Sequence, residues 1–204
     1  MKKKLVLLTV CVVAALSFAG CKKEEEIPEY VATIGAEMEA ELSSGQFYLD
    51  GDLYKFPITV GELRENGYYM GLNYKNEDTF TLPPGGQSDA FMMAKEVGDD
   101  GHQIWCKVFN PTEEELKLDE CSIGYLLIDA PADMMFPGGI WSKSEHEDVI
   151  DVYGEPRDFK NDSDTFYDLW YDIEMEDGSK WEVKFRHNSW SVSDVTYTRE
   201  GMEE

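Results

Sequence analysis

Trp181-Glu-Val-Lys-Phe-Arg186 alternates large apolar side chains with charged ones, the cleanest period of two in the chain. Such alternation marks a β-strand with one buried face and one face in water. Upstream, residues 165–173 alternate in the same way, with Tyr167, Leu169, Tyr171 and Ile173 on one face. Glu176-Asp-Gly178 between the two runs supplies a hairpin turn. Downstream, Trp190, Val192, Val195 and Tyr197 form a third run, whose phase slips at Ser193-Asp194 as a bulged residue would make it.

A sheet with one apolar face needs a cover, and the sequence before it offers one. Pro137-Gly-Gly139 breaks the chain, and Ser144-Glu-His-Glu147 has the form of a capping box. Val149, Ile150, Val152 and Tyr153 then share a helical face until Gly154 and Pro156 stop the helix. Trp141 is placed to staple the start of that helix. The expectation for residues 138–198 is one helix packed on a three-stranded antiparallel sheet.

The segment from Ser144 to Pro156, Ser-x-x-Glu-x-Val-Ile-x-Val-Tyr-Gly-x-Pro, is followed by a Tyr-rich strand and a hairpin. This order resembles the small lipoprotein domain of the outer-membrane barrel-assembly machinery and the beta-lactamase-inhibitor-like domains that share its fold. Those domains have two helices before the sheet, whereas one is legible here. The resemblance implies a unit that binds proteins and does no chemistry, although fold alone does not establish function.

Working further outward, residues 46–131 read as a β-rich unit with one short helix. Apolar residues alternate around Asp50-Gly51, a strong hairpin signal. Thr59-Val-Gly-Glu62 is a capping box, and Asn66-Gly67 closes the short helix it opens. Residues 103–109 and 122–128 read as strands on either side of a turn at 110–117. Ile34, Met38 and Leu42 are spaced for a helix that Gly35 interrupts, so residues 21–45 read as a tether with a short helix. Residues 199–204 are an acidic tail. The fold class expected for the whole is α+β: a β-rich N-terminal unit, then a helix on a three-stranded sheet.

The first twenty residues are an address. Lys2, Lys3 and Lys4 precede an apolar run over 5–18 that is too short to span a bilayer and that ends in small residues, the layout of a secretory signal peptide. Leu16-Ser-Phe-Ala-Gly-Cys21 resembles the lipobox of bacterial lipoproteins, with Phe18 where that family usually has Leu. The resemblance implies acylation of Cys21 and a stable anchor, since more than one chain at ~0.8 kcal/mol per buried CH₂ holds without a spanning helix. The whole chain also resembles lipoproteins of gut-dwelling clostridia. The expected location is the extracytoplasmic face of the cell membrane.

Without the signal's three lysines, 15 basic side chains face 42 acidic ones, a formal charge of −27 over the 184 residues from Cys21 onward. That balance excludes a nucleic-acid partner, which needs a basic footprint. It also argues against adhesion to anionic lipid, leaving the lipid anchor as the expected membrane contact.

Few residues point to a site. With Cys11 in the signal and Cys21 acylated, Cys106 and Cys121 remain as a disulfide candidate across the 110–117 turn, with two buried free thiols as the alternative. His102, His146 and His187 are scattered and read as exposed. Gly86-Gln-Ser-Asp-Ala90 lacks the last glycine of a nucleophile elbow, and Asn161-Asp-Ser-Asp164 is only a fragment of calcium-loop spacing. No cofactor or metal motif is recognisable, so no enzyme is expected. Phe166 and Trp170 lie on the strand face opposite Tyr167, Leu169 and Tyr171 and are the candidate binding surface, unless the first unit packs there. The expected role is a lipid-anchored, exported, non-catalytic interaction or scaffold module of the cell envelope; a ligand or glycan binder using those aromatics is the alternative.

Overall fold

The computed structural model describes residues 28–35, 37–70, 79–97, 100–130, 132–163 and 165–202. The signal peptide, the lipobox and Cys21 lie outside the described residues.

A short helix α1 (Glu29–Ile34) leads to the hairpin β1 (Gln46–Leu49) and β2 (Asp52–Lys55), then helix α2 (Val60–Glu65) and strand β3 (Tyr69–Met70). Strands β4 (Thr81–Leu82), β5 (Phe91–Val97), β6 (Asp100–Phe109), β7 (Leu116–Lys117) and β8 (Ser122–Asp129) follow, then β9 (Met134–Phe136) and β10 (Ile140–Trp141). Helix α3 (His146–Tyr153) precedes β11 (Asp158–Ser163), β12 (Phe166–Glu174), β13 (Lys180–Asn188) and β14 (Ser191–Arg199).

Local chemistry explains several of these elements. Asp50 and Gly51 take the positive φ values, 48° and 103°, that a tight β1–β2 turn requires. Thr59 Oγ1 accepts from the Glu62 amide while Glu62 Oε2 accepts from the Thr59 amide, so the capping box of α2 is present as written. The box of α3 sits one residue later than the sequence suggests: Glu145 and Asp148 exchange the bonds, and Ser144 Oγ instead accepts from the Trp141 amide. Gly154 (φ 81°) ends that helix. The slip at Ser193 is a bulge: Asp194 pairs with Arg186 and Val192 with His187, leaving Ser193 over.

The expected fold class is overturned. The three C-terminal strands do not form a sheet of their own, because β14 continues the ladder onto β8, Tyr197 opposite Leu126. The result is an eight-stranded antiparallel sheet in the order β11-β12-β13-β14-β8-β6-β5-β3. A four-stranded sheet, β10-β9-β1-β2, faces it, and β4 and β7 pair separately. The architecture is sandwich-like, mostly β, rather than a helix on three strands. An unpaired edge on β14 would leave a row of amides and carbonyls unsatisfied, and β8 supplies their partners.

Aromatic side chains fill the space between the two sheets. Phe47 meets Tyr197 at 5.9 Å, Phe136 meets Phe185 edge-on at 5.6 Å, and Phe56 meets Trp181 at 4.6 Å between ring centroids. Each such ring removed from water contributes ~1.5–3 kcal/mol. Helix α3 covers the rest of the same face through Val149 and Tyr153, with Tyr153 stacked on Phe185 at 5.6 Å. Val152, expected on that face, is exposed. Helix α1 forms an outer layer: Tyr30 stacks on Tyr48 at 5.2 Å, and Val31, Ile34 and Trp141 pack with Met38 and Met135 on the far side of the small sheet. The Trp141 side chain thus packs on the cluster of Met38, Tyr48 and Met135, while its amide donates to Ser144 just before α3.

Candidate functional site

The eight-stranded sheet has one face closed by the small sheet and α3. The opposite face carries the alternate side chains of each strand, and the pairing registers fix how they line up. Trp170 stands opposite Lys184, Lys184 opposite Thr196, Thr196 opposite Leu127, Leu127 opposite Trp105, and Trp105 opposite Met92. One row therefore crosses six strands with a tryptophan near each end. Four strand spacings of ~4.8 Å put the two tryptophans ~19 Å apart.

Around Trp170 the face hollows into an open trough of about 880 Å³, lined by Arg157, Trp170, Asp172, Lys184, Thr196 and Thr198 among others. The next row along holds Asp172, Glu182, Thr198, Tyr125 and Lys107 in register. Arg157 bridges this part, donating to Asp172 Oδ1 at 2.5 Å and to Glu182 Oε2 at 2.7 Å. These partners raise the Arg157 guanidinium further above its usual value, so it stays charged. On the other flank Arg186 grips Asp168 with two donors, at 2.9 and 3.3 Å. Burial raises the Asp194 carboxyl above the usual range, partly offset by Arg186.

At the far end Trp105 is 41% exposed and sits with Ala90, Lys107, Tyr125 and Leu127 in a shallow apolar depression. The Lys107 ammonium lies 5.5 Å from the centre of the Tyr125 ring. Sequence reasoning missed Trp105, yet the signal was there: Ile104, Cys106 and Val108 alternate inward, which turns Trp105 outward.

The structure leaves Phe166 exposed and Trp170 half-buried, both on the open face. The strands of residues 46–131 lie beside this part of the sheet or across its other face, not over Trp170. Cys106 and Cys121 are free and buried. Cys106 pairs with Leu126, five residues along β8 from Cys121, about 16 Å of strand, well beyond disulfide reach. Burial raises both thiols, Cys121 to about 11, and Cys121 Sγ donates to the Lys117 carbonyl at 3.2 Å. Asn161, Asp162 and Ser163 belong to edge strand β11, and Asp164 lies outside the described residues.

The histidines are where the sequence reading fails. His102 and His187 are buried, and His146 stacks on Tyr167 at 4.4 Å. His102 Nδ1 lies 2.6 Å from Asp50 Oδ1, and Asp50 also accepts from Tyr68 Oη at 2.7 Å and from the Asp133 amide at 3.1 Å. Lys95 Nζ joins the cluster, 2.9 Å from the Asp50 carbonyl and 2.7 Å from Asp52 Oδ2. An Asp–His pair orients an imidazole for base catalysis. Among the described residues, however, no hydroxyl or thiol hydrogen-bonds to His102, and the cluster's visible work is to fasten the small sheet to the large one. The described residues contain no group of three metal-ligating side chains, and no helix among them is long and apolar enough to cross a membrane.

Comparison with known proteins finds no matching family model, no matching curated protein and no matching solved structure.

Proposed function

We propose that this chain is an exported, lipid-anchored, non-catalytic binding module of the cell envelope. In this reading acylated Cys21 holds it on the extracytoplasmic face of the membrane, and the open face of the large sheet receives its partner. The observation that carries the binding half is the row from Trp170 to Trp105, two large aromatic side chains in register on a face that the core does not use. Large side chains of this kind dominate binding energetics where they stand on a rigid scaffold.

The anchoring half rests on the charged start, the short apolar run and Cys21. The use of the Asp50–His102 pair in fastening the sheets supports binding over chemistry.

Growth with an alkyne-bearing fatty acid tests the anchor. The full chain takes up label and fractionates with membranes, while Cys21→Ala is unlabelled. A labelled Cys21→Ala chain, or an unlabelled wild type, overturns it. Cross-linking in the native cell from a photoreactive residue at Lys184 tests the binding face, and a face that captures neither protein nor glycan refutes its use.

A further inference from the structure

The open face is divided in a way that points to its occupant. The outward side chains of β13 and β14, between the two tryptophans, are Glu182, Lys184 and Arg186 and then Asp194, Thr196 and Thr198. A protein-binding patch has an apolar centre depleted of charge, with polar groups at its rim. Here Trp170 stands at one end and Trp105, beside Leu127 and Tyr125 of β8, at the other, and charged and hydroxyl side chains of β13 and β14 lie between them, with Thr196 buried among them. Several of those charges are already neutralised within the face, Arg157 by Asp172 and Glu182 and Arg186 by Asp168. The strip therefore offers donors and acceptors without a dominant sign. A sugar chain matches this layout, because each ring has an apolar C–H face that stacks on an indole and a rim of hydroxyls that needs both donors and acceptors. The mixed, internally paired charge fits a neutral chain rather than an acidic one, and the ~19 Å between tryptophans is the length of a short oligosaccharide.

The chain outside the described residues says on which side the anchor joins. Only six residues lie between Cys21 and Pro28, where the described structure begins, so the link reaches at most ~25 Å. It joins at α1, which lies on the outside of the small sheet through Tyr30 and Tyr48. The layers then run α1, small sheet, large sheet, open face. Two further layers, each ~10 Å deep, separate the link's layer from that face. A chain anchored at Cys21 is therefore joined on its α1 side, the side opposite the open face.

We propose that this outward face binds an extended neutral glycan, with Trp170 and Trp105 as its two stacking platforms and the polar strip of β13 and β14 reading the hydroxyls between them. The proposal rests on the reading of the chain as a lipid-anchored binding module.

Its test uses the full acylated chain in phosphatidylcholine vesicles and a panel of neutral hexasaccharides (gluco-, manno-, xylo- and N-acetylgluco-series) with their disaccharides. At least one hexasaccharide binds and shifts tryptophan fluorescence, and its disaccharide binds at least tenfold more weakly. Trp170→Ala and Trp105→Ala each weaken binding at least tenfold while Trp190→Phe, at an exposed hairpin tip, does not. Circular dichroism melts within a few degrees of wild type keep loss of folding apart from loss of binding; where an alanine variant melts early, Trp170→Leu and Trp105→Leu, which keep apolar bulk and lose the aromatic face, replace it. No binding by any hexasaccharide, or binding indifferent to both positions, overturns the proposal. Binding in detergent but not on vesicles overturns the outward orientation. A protein captured through Lys184 with no sugar bound leaves the module reading standing and removes the glycan, whereas capture of neither removes both.

Discussion

Asp50 and His102, 52 residues apart in the chain, meet at 2.6 Å where the β1–β2 turn of the small sheet reaches strand β6 of the large one. The same carboxylate receives Tyr68 and the Asp133 amide, so one buried side chain joins four segments. Asp50→Ala strands two buried side chains, His102 and Tyr68, together with the Asp133 amide, and places alanine at φ 48°. The expected loss is ~3–5 kcal/mol, since each buried partner left unsatisfied costs ~1–3 kcal/mol. Asp50→Asn tolerates the left-handed conformation and keeps one acceptor oxygen, so it costs less. Urea unfolding of the two variants checks the order, and an alanine variant as stable as wild type would remove the cluster's structural role.

His187 gives the fold a pH dependence. Burial, with His146 nearby, lowers its imidazole to about 4 in the folded chain. An unfolded histidine titrates near ~6.5. Between these values the unfolded chain binds a proton that the folded chain refuses. Stability from this site is therefore complete above ~6.5 and falls as the pH drops toward 4, by ~3 kcal/mol in all. Asp129 and Asp194, raised by burial, act in the opposite sense over acid pH. The readout is thus the difference between wild type and His187→Leu: wild-type stability minus the variant's, from urea unfolding, falls by ~3 kcal/mol between pH 7.5 and pH 4 if the imidazole titrates as stated, and stays constant if it does not.

Both thiols should resist modification. Cys106 is fully buried and its thiol is pushed up by that burial, while Cys121 sits at about 11 and donates to a carbonyl. Thiolate is the reactive form, so neither reacts with an aromatic disulfide reagent at pH 8 in the folded chain. Two groups appear on adding urea without a reductant. None would mean a bridge.

Ser189 and Trp190 form the two-residue turn between β13 and β14, with φ values of 53° and 81°. A large residue in the left-handed region costs ~1–2 kcal/mol. The Trp190 ring also packs on Tyr167 at 5.8 Å, a contact of ~0.5–1.5 kcal/mol. Trp190→Gly relieves the first and loses the second, so its net effect is within ~1 kcal/mol. Trp190→Val loses the contact and keeps the strain, and melts lower than the glycine variant. Equal melting of the two would show that backbone conformation is not the deciding term.

The parts of this fold legible in the sequence were those with local causes. Trp181-Glu-Val-Lys-Phe-Arg186, the Asp50-Gly51 turn, the Thr59–Glu62 cap and the Ser193 bulge each declare themselves within a few residues. What was not legible was who sits beside whom. Periodicity says that Val195 and Tyr197 face the core but not that β14 pairs with β8, and that pairing turned three strands into eight. The site divides in the same way. Trp170 could be read from alternation along β12, and Trp105 from β6, but their common row exists only through registers between distant strands. The buried histidines were lost for a related reason: their surroundings are assembled from Asp50 and His146, far away in the chain.

The position of β14 bears on how the molecule comes into being. The latest strand in the chain lies fourth of eight in the large sheet, between β13 and β8. No N-terminal stretch can complete that sheet while residues 191–199 are still to come, because β8 would wait with one side unpaired. Such non-local pairing delays the closing step of folding. A chain delivered across a membrane from its N-terminus would thus remain unfinished until its final segment had crossed, and assembly would begin after passage rather than during it.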